Sequence, residues 1–559
     1  MKCVFKILAV FIIFHLYAQA EENSGPEPVV SLVKENEDIP PVVINSTREF
    51  RERLLSDPYR PAFHFAFPED VGVPGDPNGA FYKDGLYHLM FLYDKSGEGF
   101  NYQLGSYERS FAWGHVSSPD LLHWRYHPDA LVPSGGDYGA FSGGAFVDDD
   151  GTAVLSYWML WGAQGIGLAT SKDYNVWKRF PGNPVIKSTE FGVTEMKDAS
   201  GKDIYVGSSD PSNIWKKDGK YYMLTGSLMV LEKLGRKEDS PADEQGDRLY
   251  LFESDDLKSW HYKHRFYESS REWTDASEDN MCPSFFPLPL SPEGGKMSGK
   301  YLLSFISHNK GAQYYIGDYR DDHFYPEQHG RMSWQDNHFF APEALVDDQG
   351  RQILWSWIFD VRPAEVKKHY GWTGMYSLPR TLWLTKEGTL GIRPVKELEK
   401  LRLGMREEKN IRIKAGEEIS LDGFGSELME LEITLQAGAA TQAGVKVNYA
   451  ANGEEQTSIY YDAGDKTLKF DTTKSGHDWG EEWKKKIEAA PFELKKAEPL
   501  VLRVFVDKSV VEVFANDRQA IARTVYPKLN GTGVRLFAKG ADVKVLSVKA
   551  WRLAPANPY

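Results

Sequence analysis

The sequence is almost without cysteine. Its 559 residues include only Cys3 and Cys282, and Cys3 lies in an apolar segment at the N-terminus. If that segment is cleaved, Cys282 remains alone and no intramolecular disulfide can form. No His or Asn partner for a catalytic thiol is evident, so Cys282 is predicted to be a buried structural residue.

Signatures of metal and nucleotide sites are also missing. The sequence contains no cluster of Cys and His at zinc spacing and no Walker or Rossmann glycine pattern. These absences argue against a metal-dependent hydrolase and against a nucleotide-dependent enzyme. No cofactor is expected.

Positive charge is in deficit. The chain has 66 Lys and Arg against 80 Asp and Glu, for a formal net charge of -14. Because a strongly acidic protein is repelled by a phosphate backbone, nucleic acid is disfavoured as a partner.

The N-terminal segment has the pattern of a secretory signal peptide. Residues 1–20, MKCVFKILAVFIIFHLYAQA, combine Lys2 and Lys6 with an apolar run and a small-x-small end. The alternative, a membrane anchor, is disfavoured because the run is short for a span. Cleavage removes two lysines and no acid, which takes the net charge from -14 to -16. We expect a secreted or periplasmic protein that does not contact the membrane after cleavage.

Helical periodicity is scarce, and repeated strand hairpins take its place. A hairpin glycine follows the first residue of a repeated unit by nine positions in four pairs: Asp76 and Gly85, Ser142 and Gly151, Asp210 and Gly219, and Ala341 and Gly350. A fifth copy with a longer hairpin begins at Cys282. Five copies of one strand unit predict an all-β fold, a five-bladed β-propeller over residues 59–398.

The rest of the chain divides around this repeat. A second motif, Ser-x-Asp-(x)3-Trp, begins at Ser118, Ser171 and Ser254, later in three of the units. After residue 398, alternating strands with regular turns predict a C-terminal β-sandwich over residues 399–559. Residues 21–58 are predicted to form a polar, partly ordered lead-in.

The starts of the repeated units carry the candidate chemistry. Asp84 and Asp218 are explained by turn formation. Asp76 and Asp210 are not, because other units start with Ser or Ala. If the innermost strands begin around one axial funnel, these two carboxylates converge with the segment before Cys282. Paired carboxylates suit glycoside cleavage, in which one group attacks the anomeric carbon and a group with a raised pKa protonates the leaving oxygen.

Several segments together resemble the β-fructofuranosidases of glycoside hydrolase family 32, which includes invertases, inulinases and levanases. In chain order they are GDPNGAFYKDGLYHL, WGHVSSPDLLHW, FSGGAF, SDPSNIW, CPSFF, FFAPEALVDDQGR and VDKSVVEVFAND. The resemblance extends from about Arg60 to the C-terminus. It implies a retaining, exo-acting hydrolase of β-fructofuranosidic bonds in fructans, fructo-oligosaccharides or sucrose, with carbohydrate as its partner.

The same resemblance implies roles for individual residues. Asp76 would be the nucleophile, and Asp210 would stabilise the transition state by hydrogen bonds to the furanose. Phe141 and Ser142 would form a wall of the sugar subsite, and Asn78 would bind substrate.

The proton donor departs from the family pattern. Family members carry a Glu directly before the Cys of Glu-Cys-Pro, where this chain has Met281. Glu278 is predicted to be the acid/base instead, with Asp279 beside it as a substrate-binding residue. Glu343, two residues after the start of the fifth unit, is a further candidate carboxylate for the site.

Further departures leave two alternatives open. Val73-Pro74-Gly75 replaces Trp-Met-Asn, Leu92 replaces a Gln, and Ser209 replaces the Arg before Asp-Pro. These changes remove polar groups that, in the family, bind a terminal fructose. The alternatives are a furanosidase with a different sugar specificity and a carbohydrate-binding propeller that has lost catalysis.

Roles are also predicted for several Trp and His side chains. Trp113 and Trp372 each adjoin a glycine in a predicted loop and are candidates to stack on sugar. The others are predicted to be structural: Trp158, Trp161, Trp355, Trp357, His115 and His308.

Overall fold

The computed structural model describes residues 38–67, 70–71, 75–94, 111–133, 137, 139–160, 164–198, 200–237, 239–334, 337–479 and 485–557. The predicted signal peptide, Trp161 and Val73-Pro74 lie outside these residues. The described part of the lead-in contains helix α1 (Pro41–Ser56), which starts with Pro at its first turn and buries only Leu54. No helix in the described ranges is both long and apolar enough to cross a membrane.

The region from β1 to residue 401 forms mainly antiparallel sheets that follow one another in sequence. The first sheet contains β1 (Asp70–Val71), β2 (Pro77–Lys83), β3 (Leu86–Asp94), β4 (Phe111–Ser118) and β5 (Arg125–Leu131). The second contains β6 (Gly139–Val147), β7 (Ala153–Leu160), β8 (Gly165–Ser171), β9 (Lys178–Arg179) and β10 (Ile186–Lys187). A separate hairpin of β11 (Val193–Lys197) and β12 (Asp203–Gly207) follows it.

Three more sheets complete this region. The third contains β13 (Trp215–Lys217), β14 (Lys220–Thr225), β15 (Tyr250–Ser254) and β16 (His261–Arg265). The fourth contains β17 (Met281–Pro289), β18 (Met297–Ser307), β19 (Gly311–Arg320) and β20 (His323–Arg331). The fifth contains β21 (Phe339–Val346), β22 (Gln352–Ile358), β24 (Met375–Tyr376), β25 (Arg380–Leu384) and β26 (Leu390–Pro394), while β23 (Trp372–Thr373) pairs in parallel with β1.

Helices between these strands are short. They are α2 (Leu228–Val230) with a π turn over Leu231–Gly235, a 3-10 turn over Ala242–Glu244, α3 (Ala364–Tyr370), and a 3-10 turn over Lys396–Leu401 that ends the region.

Both sequence repeats correspond to repeated local structure. Asp84-Gly85 and Asp218-Gly219 have positive φ at both residues, and they join β2 to β3 and β13 to β14. In the second motif, the Ser hydroxyl and the Asp carboxylate form a hydrogen-bonded turn at each copy. The residue after the Asp has positive φ in all three copies, which are Leu121, Tyr174 and Leu257.

Hydrogen bonds join the five sheets in cyclic order. Gly143 N donates to Asn78 Oδ1 (3.0 Å), which joins the first and second sheets. Ser156 Oγ donates to Ser212 O (2.8 Å), and the Asn213 amide bonds both N and O of Phe285. Glu343 completes the series. The remaining bonds run from Ser284 Oγ to Glu343 Oε2 (2.9 Å) and from Ala80 N to Glu343 Oε1 (2.8 Å).

The C-terminal region consists of two six-stranded antiparallel sheets. In spatial order, one contains β27 (Arg402–Ile413), β38 (Val543–Leu553), β29 (Leu428–Gln436), β34 (Leu500–Asp507), β35 (Val510–Ala515) and β36 (Gln519–Thr524). The other contains β28 (Glu418–Ser420), β37 (Gly533–Lys539), β30 (Gln442–Tyr449), β31 (Thr457–Asp462), β32 (Thr467–Asp471) and β33 (Ile487–Pro491). Inward residues of both sheets, such as Leu431 and Val445, form one buried core.

A buried ionic cluster connects the two regions. Asp507 accepts hydrogen bonds from the backbone N of Ala62, Phe63 and His64, and its Oδ2 lies 2.9 Å from His64 Nδ1. His64 Nε2 lies 3.3 Å from Glu512. Burial alone would lower the pKa of His64, but Asp507 and Glu512 outweigh it and raise the pKa to about 9.

His64→Gln should therefore reduce stability in a pH-dependent way. A raised folded-state pKa gives stabilisation that is complete below pH 6.5 and is lost as the pH rises through 9. We expect the variant to lose ~3 kcal/mol of unfolding free energy at pH 6 relative to the native chain. Urea unfolding at pH 6, 7.5 and 9 should show this deficit shrinking. A deficit that is constant with pH, or one equally present in the control His261→Gln at an exposed position of β16, contradicts a charged His64.

Candidate active site

Two aspartates that are far apart in sequence meet at one sulfur atom. Asp76 lies directly before β2, Asp210 precedes β13, and Cys282 is the second residue of β17. Cys282 Sγ lies 3.7 Å from Asp76 Oδ2 and 3.4 Å from Asp210 Oδ2, and Cys282 N donates to the same Asp210 oxygen (3.3 Å). The unit starts that share a register in the sequence therefore converge in space.

Neighbouring residues hold Asp76 in place. Ser142 Oγ, within β6, donates to Asp76 Oδ2 at 2.5 Å. Asn78 Nδ2 donates to the backbone O of Asp76 (2.9 Å). Phe141 is half-buried beside Ser142, edge-on to Phe111. The substrate-contact roles of Asn78, Phe141 and Ser142 stay predictions, with their positions beside the nucleophile candidate now known.

Each aspartate keeps one oxygen for a ligand. Oδ1 of Asp76 and Oδ1 of Asp210 are buried and have no hydrogen-bond partner among the described residues. Because a buried carboxylate oxygen without a partner is costly, such atoms are characteristic of sites that bind a polar ligand. Both free oxygens belong to the two residues that converge at Cys282.

Burial and mutual repulsion set the charge of this pair. Burial, followed by the charge of Asp76, raises the pKa of Asp210 to about 7. Burial also raises the pKa of Asp76, opposed by Ser142, His308 and Cys282. The pKa of the Cys282 thiol is raised well above its usual value by burial and by both aspartates. Cys282 is therefore a neutral thiol, which fits its predicted structural role.

The contacts of Glu278 do not fit a proton donor. Arg331 donates to both carboxylate oxygens, at 2.8 and 2.9 Å, and Gln313 Nε2 donates to Oε2 at 2.9 Å. Although burial favours the neutral form, Arg331 and Gln313 lower the pKa of Glu278 overall. Glu278 is thus a buried ion-pair partner of Arg331, and its predicted role as the acid/base stays a prediction.

Met281 occupies the position where the family pattern has its glutamate. Its side chain is 2% exposed. Its sulfur lies 3.9 Å from Ser209 Oγ and 3.5 Å from Leu228 N. The two departures from the family pattern, at residues 209 and 281, are thus in contact with each other.

Asp279 pairs with His308, which the sequence predicts to be a structural histidine. Asp279 Oδ2 lies 2.8 Å from His308 Nδ1, and Oδ1 accepts from His308 N at 3.1 Å. Burial alone would lower the pKa of His308, but Asp279, Asp210 and Asp76 together raise it. The charge of His308 in turn favours ionised Asp76 and Asp210. No local sequence signal marks His308 as part of this site.

Glu343 links the first, fourth and fifth sheets by hydrogen bonds. Both carboxylate oxygens accept hydrogen bonds, from Ala80 N and Ser284 Oγ, and burial raises the pKa of Glu343 to about 8. Its predicted part in substrate binding stays a prediction.

The predicted loop positions of Trp113 and Trp372 are wrong. Trp113 lies within strand β4, fully buried, and its Nε1 donates to Phe141 O at 3.1 Å. Trp372 lies in β23 and is buried against Arg362 and Asp57. The other described rings predicted to be structural are buried, apart from His308: Trp158, Trp355, Trp357 and His115. In the described part of the chain, no group of three His, Cys, Asp or Glu could hold a metal ion.

Comparisons with known proteins cover most of the chain. Residues 64–394 match the family model for the glycosyl hydrolases family 32 N-terminal domain, and residues 397–552 match the model for glycosyl hydrolases family 32 C terminal. A levanase of Bacillus subtilis is 30% identical over 539 residues, covering 89% of this chain and 72% of the relative. Raffinose invertase of Escherichia coli is 27% identical over 518 residues, covering 88% and 95%.

Solved structures share the fold. Fructan 1-exohydrolase IIa from Cichorium intybus superimposes with a TM-score of 0.74 at 22% identity, covering 90% of this chain and 98% of that one. An exo-inulinase from Aspergillus awamori gives a TM-score of 0.70 at 20% identity, covering 90% and 99%.

The stability of Glu343→Gln relative to the native chain should increase as the pH rises. A carboxyl whose folded-state pKa is raised from 4.5 to about 8 destabilises the fold progressively over that interval, whereas Gln does not titrate. Urea unfolding should show the difference between variant and native chain changing by roughly 3 kcal/mol in favour of Gln between pH 5 and 7.5. Glu343→Ala is the contrasting variant. It leaves two buried donors without an acceptor and should be destabilised by about 2 kcal/mol or more at either pH. A pH-independent difference for Gln refutes a neutral Glu343.

Proposed function

Because the chain belongs to glycosyl hydrolases family 32, we propose that it is a retaining hydrolase of β-fructofuranosidic bonds. Its substrates are fructans, fructo-oligosaccharides or sucrose. The observation that carries the proposal is the meeting of Asp76 and Asp210, each with one free, buried oxygen. The levanase and invertase relatives match nearly the whole chain and support the same substrate class.

The domain organisation proposed for this function is a five-bladed β-propeller over residues 59–398 and a β-sandwich over residues 399–559. The cyclic hydrogen bonds between five sheets support the propeller. The common core of two six-stranded sheets supports the sandwich. In this arrangement the innermost strands deliver their first residues to one axial site.

Asp76 acts as the nucleophile through its free Oδ1. Ser142 holds Oδ2, which fixes the carboxylate plane and leaves Oδ1 to attack the anomeric carbon. Asp210 presents its free Oδ1 to a sugar hydroxyl. Hydrogen bonds to hydroxyls that strengthen at the transition state lower the barrier.

The protein is proposed to act outside the cytoplasm, secreted or periplasmic, and on chain ends of its substrate. The leader-like residues 1–20 support export. The exo mode is supported by the relation in fold to a fructan exohydrolase and an exo-inulinase. Carbohydrate is the proposed partner, with neither nucleic acid nor membrane.

A second function is favoured by one observation. Met281 and Ser209 stand where the family pattern has ionisable side chains, so a carbohydrate-binding propeller without turnover is the rival. A furanosidase for another sugar is a further alternative, because the same departures change the contacts available to bind fructose.

Incubation of the purified protein with levan, inulin, sucrose and an arabinofuranoside separates these functions. We expect fructose from at least one fructoside, identified by chromatography. Calorimetric binding of fructan without product over a long incubation identifies the binding protein instead. Arabinose release without fructose identifies the other furanosidase.

Asp76→Asn should abolish turnover while leaving the fold intact. The amide keeps the shape and the Ser142 contact but cannot form the glycosyl ester, so kcat should fall by ~10³-fold or more. The matched control is Asp84→Asn, the same substitution in the hairpin turn of the same sheet, which should retain activity. Asp76→Asn with half of the native kcat and an unchanged melting temperature rules out Asp76 as nucleophile.

A further inference from the structure

The proposed reaction needs a proton for the leaving oxygen, and the described carboxylates do not provide an obvious source. Glu278 is ion-paired with Arg331, and both oxygens of Glu343 accept hydrogen bonds from neighbouring sheets. Met281 has no proton to give. His308 is the titratable cation whose charge acts on both Asp76 and Asp210.

We propose that His308, oriented by Asp279, is the general acid/base of this enzyme. The inference rests on the proposed function and assigns the one catalytic role that the family pattern leaves empty here.

The geometry fixes which ring nitrogen is available. His308 follows the last residue of β18, and Asp279 lies two residues before β17, its hydrogen-bonded neighbour. Asp279 is fully buried, and its backbone O accepts from Ser307 Oγ at 2.6 Å. Because the carboxylate takes both N and Nδ1 of His308, Nδ1 carries a proton.

The other nitrogen, Nε2, has no hydrogen bond within the described ranges. The imidazole is 27% exposed, so a substrate atom can reach it. The Phe340 ring packs edge-on against the imidazole at 5.7 Å, which limits its rotation. A carboxylate that orients one nitrogen while the other faces substrate is the arrangement that acid/base histidines require.

The charged groups around His308 favour its protonated form. Asp279 contacts it directly, and Asp210 and Asp76 act on it across the site, so its pKa is raised despite burial. The nearby Cys282 thiol stays neutral. The surrounding charges therefore favour the imidazolium, the form that can donate.

The proton balance closes over both half-reactions. In the first, Asp76 Oδ1 bonds to the anomeric carbon, and the bond from that carbon to the leaving oxygen breaks. The leaving oxygen keeps the electron pair and takes the Nε2 proton. In the second, water attacks the anomeric carbon, Nε2 takes a proton from the water, and the ester bond breaks with its electron pair returning to Asp76.

The same charges explain how one group serves as acid and then as base. Once Asp76 is an ester, it no longer carries the negative charge that raises the pKa of His308. The pKa of His308 then falls, which favours the neutral imidazole. The neutral imidazole is the form that can accept a proton as the base of the second half-reaction. Hydrolysis restores the carboxylate and with it the imidazolium.

The test compares two leaving groups in His308→Gln. Turnover of sucrose or levan, whose leaving alkoxides need a proton, should fall by ~10²-fold or more. Turnover of 4-nitrophenyl β-fructofuranoside should fall less than ~10-fold, since its leaving group needs little protonation. The alkaline limb of the native pH profile should disappear in the variant. His261→Gln, at the exposed first residue of β16, is the matched control and should show neither effect.

Asp279→Asn tests the orienting residue with a readout independent of turnover. NMR titration, with the His308 signal identified by its loss in His308→Gln, should give a pKa above 6.5 in the native protein. It should give a lower pKa in Asp279→Asn, and the alkaline limb of the activity profile should move to lower pH by a similar amount. A His308 that titrates identically in both proteins excludes the pairing.

The outcomes separate this inference from the proposed function. If the native protein releases no fructose from either substrate, the proposed function fails and the inference fails with it. If the native protein is active and His308→Gln slows both substrates by the same factor, only the donor assignment is overturned. If Asp210→Asn or Glu278→Gln shows the leaving-group dependence instead, that residue is the donor.

Discussion

Two carboxylates buried within reach of one sulfur atom are the constraint on which the rest of the structure depends. Asp76 and Asp210 repel each other when both are ionised, and burial adds a desolvation cost. A flexible site would relax by separating them. The series of hydrogen bonds that closes on Glu343 between the first, fourth and fifth sheets prevents this separation. The stability of the sheets thus maintains an arrangement that is unfavourable locally and useful for reaction.

The backbone contributes to the same arrangement. Asp210, Cys282 and Ala341 all have positive φ, at 37°, 49° and 46°, at the starts of three different units. For residues with a Cβ this conformation costs of order 1 kcal/mol each. The conformation is shared by the starts of the third, fourth and fifth units, whereas Asp76 and Ser142, which start the first two, do not have positive φ. Where the first residue carries a carboxylate or a thiol, the unit places that group in the shared site.

The sequence predicted the parts of the molecule that repeat. Fixed spacing from a hairpin glycine located the units and singled out Asp76 and Asp210, because register along one strand carries over to every copy. It could not locate the donor. Closeness to Cys282 in sequence favours Glu278, but its side chain is directed to Arg331, 53 residues later. Asp279 meets His308 through the pairing of β17 with β18, whose register shifts between Met281 and Ser284. An irregularity of one residue inside a hairpin has no signature in a single sequence, and neither does the contact that depends on it.

The two departures at residues 209 and 281 make sense together if the donor is a cation. An arginine beside a carboxylic acid donor lowers the pKa of that donor, but it can also pair with the carboxylate that forms. An imidazolium is already charged, so an arginine beside Asp210 would lower its pKa and compete with it for the aspartates. Ser209 removes that competing charge, and Met281 fills the space of a carboxylic acid with an uncharged side chain of similar length. In both designs the charge of Asp76 favours the protonated donor, and its loss on ester formation favours deprotonation. With His308 as the proposed donor, the electrostatic relation between nucleophile and donor is kept, although this donor differs in residue type and position and is a cation before it reacts.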